Sequence, residues 1–180
     1  MAKNVLGMFK SVDEVNAVLK TLEVNGYTKD AISVVTSKDA LNSDKVKFEN
    51  NVVEGVKDSA KTGGVIGGIL GLLVGVGALT IPGIGLLFVS GPIAAALGIT
   101  GVAGATASGA IAGSLVGGIA GALKEIGVDE QLAVKYEEDL KQGYLIVGVT
   151  ARDGDTQRIK DVFSSNGAMH ISDLAIEVND

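Results

Sequence analysis

The chain has 180 residues, with one histidine, His170, and no cysteine. Thiolate nucleophiles, disulfides, cysteine metal sites and any mechanism needing two imidazoles are therefore excluded. His170 is expected as a solvent-facing residue on the edge of a strand. Glu125, Asp129, Glu130, Glu137, Glu138 and Asp139 are dense enough to gather a divalent cation, but the calcium-loop spacing is missing and they read as the solvated face of a helix. Asp153 and Asp155 flank Gly154 before a helix-forming run, so they are expected to turn the chain and cap the helix at Thr156 rather than act as an acid–base pair. The glycines match neither the dinucleotide fingerprint nor the P-loop. No catalytic residue, cofactor or metal is expected, and the chain reads as a non-enzyme.

The charge pattern narrows the partners. Residues 1–61 carry nine lysines against nine acids, and residues 124–180 carry six bases against twelve acids, for a net charge of −6. An acidic chain with 4% aromatics offers neither a basic stripe nor a stacking platform, so nucleic acid is excluded as a partner. Met1 to Phe9 is too short and mixed an apolar run for a secretory leader.

The two ends of the chain share one order of elements. Val5–Phe9 reads as a strand, and Ser11-Val12-Asp13-Glu14 has the capping-box pattern that starts a helix. Val12, Val15, Val18, Leu19 and Leu22 mark its buried face, Asn25-Gly26 its stop, and Ile32–Thr36 a β-branched strand. Near the C-terminus a strand at Leu145–Thr150, a helix at Thr156–Ser165, an Asn166-Gly167 stop and a strand at Leu174–Val178 repeat this. Two βαβ units in one sheet predict an α+β, ferredoxin-like domain. The expected organisation is residues 1–50 as the first βαβ half, 51–126 as an insertion, and 127–180 as a helix plus the second half.

The insertion is the unusual part. From Thr62 to Leu123 no residue is charged across 62 positions, and 18 of the 26 glycines fall there. Gly63, Gly67, Gly71 and Gly75 stand four apart, as do Gly109, Gly113, Gly117 and Gly121. On helices each run would form a groove without side chains, through which backbones approach closely. Each glycine costs a helix roughly 0.5–1 kcal/mol relative to alanine, so such helices need packing to offset the loss. The expectation is a glycine-zipper α-helical hairpin with its apex at Pro82, Gly83, Gly85, Gly91 and Pro92, which include both prolines of the chain.

Residues 62–81 as one helix would be about 30 Å long, enough to cross the hydrocarbon core, and residues 99–123 could return. Lys57, Lys61 and Lys124 flank the block, and residues 82–100 hold no Lys or Arg. The positive-inside rule then keeps both termini cytoplasmic. The weak hydrophobicity of the returning stretch, with Thr100, Thr106, Ser108 and Ser114, suits burial in protein instead.

The opening Val5-Leu6-Gly7-Met8-Phe9, the Ile81-Pro82-Gly83-Ile84-Gly85 and Ser90-Gly91-Pro92 segments, Gly127-Val128-Asp129-Glu130 and Tyr136-Glu137-Glu138 together resemble bacterial general stress proteins of the YflT-like and low-temperature-induced type. The resemblance spans nearly the whole chain. It implies a non-enzymatic, membrane-associated stress protein without catalytic residues. Lys141-Gln142-Gly143 departs from the more basic, glycine-paired run expected there.

The leading expectation is a structural or stress-related homo-oligomer, assembled through zipper helices at or in the cytoplasmic membrane, with lipid as a second partner. A soluble cytoplasmic homopolymer or shell is the first alternative. A sensor binding an unspecified small molecule on its ferredoxin-like sheet is the second.

Overall fold

In the computed structural model, the described residues are 3–43, 69, 77–81, 83–96 and 118–175. They form a mixed α+β structure around one six-stranded antiparallel sheet. The strands are β1 (Lys3–Phe9), β2 (Ile32–Ser37), β3 (Gly77–Ile81), β4 (Gly85–Val89), β5 (Leu145–Ala151) and β6 (Met169–Ala175). The helices are α1 (Val12–Val24), α2 (Lys38–Ser43), α3 (Gly91–Ala96), α4 (Gly118–Glu125), α5 (Glu130–Lys141) and α6 (Thr156–Ser165). Across the sheet the order is β3-β4-β2-β5-β1-β6. The chain ends thus supply four neighbouring strands, β2-β5-β1-β6, and the middle of the chain adds β3 and β4 at one side.

The first half folds for the reasons legible in its residues. Ser11 Oγ accepts from the Glu14 amide at 3.2 Å, while the Glu14 carboxylate reaches back to the Lys10 amide at 2.9 Å. Helix α1 ends where Gly26 takes φ +80°, a conformation an L side chain resists. The second stop has the same form. Asn25 and Asn166 each donate a side-chain amide to the carbonyl four residues earlier, Thr21 and Val162, both at 2.7 Å.

Both faces of the sheet are buried. On one face α1 and α6 cover Val5, Phe9, Ile32, Val34, Leu145, Val147 and Val149, with Phe9 edge-on to Phe163 at a ring separation of 5.4 Å. On the other, Ile93 of α3, Ile119 and Leu123 of α4, and Tyr136 and Leu140 of α5 pack over Leu6, Met8, Val35, Ile146 and Leu174. Two-face burial explains why β1 and β5 are nearly continuous apolar runs rather than alternating ones.

Three expectations need correction. Residues 77–89 are not the end and apex of a helical hairpin: β3 and β4 form a β-hairpin, with Ile81 opposite Gly85 and the Ile84 amide donating to Ile81 O at 3.1 Å. Positive φ at Gly83 (+87°) and Gly85 (+84°) lets this short loop close. A single helix over 62–81 is therefore ruled out, because 77–81 are paired in the sheet. Of the expected last strand Leu174–Val178, residues 176–178 lie outside the described residues; within the described residues the last strand is Met169–Ala175, so it starts before the expected Leu174. The reason is a bulge, which shifts the β1–β6 register between Leu6 and Met8.

Candidate functional site

The sequence-predicted association residues divide sharply. Gly63, Gly67, Gly71, Gly75, Gly109, Gly113, Gly117 and Pro82 lie outside the described residues. Gly121 is half-buried inside α4. Gly91 has a role other than a hairpin apex. With φ +72°, it passes so close to β2 that an added Cβ would stand 2.1 Å from Ile32 O. Ser90 donates its amide to Val34 O at 2.9 Å and accepts the Val34 amide on its hydroxyl at 3.1 Å. Ser33 Oγ then accepts the Ile93 amide at 3.0 Å. These bonds fasten α3 to the sheet, and Pro92 sits in the first turn of that helix, where its missing N–H costs nothing.

The acidic residues have separate structural tasks. Asp129 Oδ1 caps α5, accepting from Gln131 N at 3.0 Å and Leu132 N at 3.3 Å. Glu130 pairs with Lys124 at 2.9 Å on the surface. Glu137 Oε2 accepts the Ala120 amide at 2.8 Å in the first turn of α4, and its other oxygen pairs with Lys141 at 2.9 Å. Burial alone would raise the Glu137 carboxyl; the amide and the ammonium outweigh it and hold the group below its usual value. No group of three metal-ligating side chains occurs among the described residues.

Asp155 occupies the N-cap position of α6 but makes no side-chain capping bond, which corrects the expectation that it caps Thr156. Its carboxylate instead accepts the Tyr27 hydroxyl at 2.9 Å. The Arg152 guanidinium lies 4.4 Å from the Tyr27 ring centre and donates to Asn25 O at 3.3 Å, and also to Gly26 O. The end of α1 is thereby tied to the loop before α6.

One polar cluster stands apart because it is buried beside an apolar core. Helix α5 places Tyr136 and Leu140 in that core, and Asp139, 8% exposed, lies beside them. The Tyr136 hydroxyl donates to the carbonyl of His170 and lies 3.5 Å from Ser172 Oγ. Burial, the largest influence, pushes that hydroxyl up to about 12, so it stays a neutral donor. Asp139 Oδ2 is buried without a hydrogen bond, and His170 Nε2 stands 3.6 Å from it. His170 lies inside edge strand β6 rather than ahead of a strand starting at Leu174, and it is half-buried against α5, not solvent-facing as expected.

This cluster was missed in the sequence because Asp139 was grouped with its charged neighbours. The available signal was its spacing: three residues after Tyr136 and beside Leu140, it borders the apolar stripe of α5.

Comparison with protein-family models, curated proteins and solved structures finds no match in any of the three.

Proposed function

We propose that this chain is a non-enzymatic, self-associating structural protein in which a ferredoxin-like body carries glycine-ladder segments that join copy to copy. The order β2-β5-β1-β6, with α1 and α6 on one face, supports the ferredoxin-like reading of the body. Its likeness to general stress proteins rests on the motifs quoted above and suggests the setting in which such an assembly works.

The single observation that carries the reading is the charge-free window with its two four-membered glycine ladders. Ladders of this spacing are costly in isolation and useful only against another backbone. Within the window, Ile81, Leu87, Val89, Ile93, Ile119 and Leu123 are buried in the body. Part of the window is thus explained as core, including Ile69 between the ladder glycines, which is 1% exposed and donates its amide to Asn16 Oδ1 of α1 at 2.9 Å. The ladder glycines of 63–75 and 109–117 are left as the association elements.

Burial of those segments in protein is favoured over a lipid span. No described helix is long and apolar enough to cross a membrane. With 77–81 in β3, residues 62–76 would give about 22 Å if helical, short of the roughly 30 Å hydrocarbon core. A soluble homopolymer is therefore the preferred form, with a membrane-seated oligomer as its competitor. The ligand-sensor alternative would use an open sheet face, whereas helices cover both faces over the central strands.

The test is the double substitution Gly113→Leu and Gly117→Leu. The intact protein is expressed without detergent, washed from membranes with alkaline carbonate, and sized. A discrete high-mass particle that the double variant reduces to smaller species, with an unchanged far-UV spectrum, is the expected result. Retention of the wild type in the washed pellet would transfer the assembly to lipid. An unchanged particle in the variant would remove the ladders from the interface.

A further inference from the structure

We propose that Asp139 and His170 form a proton-operated latch, which clamps edge strand β6 onto helix α5 when the imidazole is charged. Three observations converge. A carboxylate oxygen, Asp139 Oδ2, is buried without a hydrogen bond. The chain's one imidazole stands 3.6 Å from it, in contact but beyond hydrogen-bond distance. The residue bearing that imidazole has φ +52°, and it is the one non-glycine residue with positive φ among the described residues.

The backbone around His170 is built to hold that approach. Between the Leu6–Ser172 and Met8–Met169 pairs, β6 places two residues, His170 and Ile171, opposite Gly7 alone. Gly7 has no side chain because the Phe163 ring fills its place, 2.6 Å from where a Cβ would stand. The Tyr136 hydroxyl bonds the His170 carbonyl, tying the backbone of the bulge to α5.

Among the described residues no second ion pair engages Asp139 or His170; Tyr144, whose amide donates to Asp139 O at 3.0 Å, is the neighbouring titratable group in the loop after α5. From α5, Tyr136 is neutral, Glu137 is engaged by Ala120 and Lys141, and Lys135 and Glu138 are exposed. From β1, the facing residues Leu6, Gly7 and Met8 carry no ionisable group. On β6 itself, Asp173 is bound to Lys160 of α6 at 2.7 Å, in the opposite helix layer. The His170 side chain is 30% exposed, so protons reach it from solvent while the carboxylate stays covered.

The sign follows from the pairing. An imidazolium with a carboxylate partner in the folded chain and none in the unfolded chain adds stability below the range where imidazoles titrate. That stability is lost as the pH rises through the range. Unpaired, the buried carboxylate is a defect, and charging His170 repairs it.

The experiment compares wild type, His170→Gln and Asp139→Asn by denaturant unfolding at about pH 5.5 and about pH 8, with amide exchange of residues 169–175 as the local readout. The wild-type folding constant relative to His170→Gln should be larger at the lower pH than at the higher. Exchange at β6 should slow in parallel in the wild type alone. Asp139→Asn should flatten the dependence; should it fail to fold, the His170→Gln comparison and the exchange data decide. Parallel pH profiles for wild type and His170→Gln, or β6 exchange that ignores pH, would overturn the latch.

Discussion

The Tyr136 hydroxyl donates to the carbonyl of His170, a residue held at φ +52° on the edge strand. A side chain from the middle of α5 thus satisfies backbone that the bulge has turned out of the regular ladder. Removing the hydroxyl in Tyr136→Phe keeps the apolar packing and leaves that carbonyl without this partner. The expected loss is about 1–2 kcal/mol of stability. Exchange at β6 amides should accelerate more than at β5 amides, which would be measured on the same sample.

Gly91→Ala should be among the most damaging small substitutions in the chain. Its Cβ would fall 2.1 Å from a backbone oxygen at positive φ, and neither side can yield without moving β2 or α3. A loss of about 3 kcal/mol or more is expected. Gly85→Ala is the control, with φ +84° but nothing within 4 Å of the new Cβ, and should lose only about 1–2 kcal/mol. Equal midpoints for the two in urea would refute the close-approach argument.

Gly7→Ala tests the other face. The new methyl meets the Phe163 ring at 2.6 Å, so ring and helix α6 must shift, at about 1–3 kcal/mol. Pairing Gly7→Ala with Phe163→Leu should recover part of that loss. A double variant no better than the sum of the two singles would place the strain elsewhere.

Glu137 gives the chain an acid-sensitive contact. Its carboxyl is held below its usual value by the Ala120 amide and Lys141, against the opposing influence of burial. A depressed carboxyl contributes stability above its unfolded value, and loses it as the pH falls through the lower, folded one. The stability gap between wild type and Glu137→Gln should therefore be full at neutral pH and close toward strongly acidic pH. A gap that widens on acidification would reverse the assignment.

The halves at either end of the chain were legible because their signals are local. Ser11 and Glu14 start a helix and Asn25-Gly26 stops it through bonds spanning four residues or fewer. The same holds at Asn166-Gly167. The β3–β4 hairpin had a local signal too: two short runs, Gly77–Ile81 and Gly85–Val89, around a Gly-bearing loop, with Phe88 as the window's one aromatic residue. The four-residue glycine period masked it, because the same apolar run satisfies a buried helix and a buried strand when no polar residue marks a face.

Residue order and type by themselves determined the two βαβ halves, the stops between their elements, and the absence of thiol or paired-imidazole chemistry. Only the tertiary structure decided that the second sheet face is closed by α3, α4 and α5, and that Asp139 meets His170 across 31 residues of chain. Capping and turn formation are settled by neighbours in sequence. The register of an edge strand against a distant helix is settled by a bulge, a ring over Gly7 and the burial of a carboxylate, none of which exists until the layers have packed.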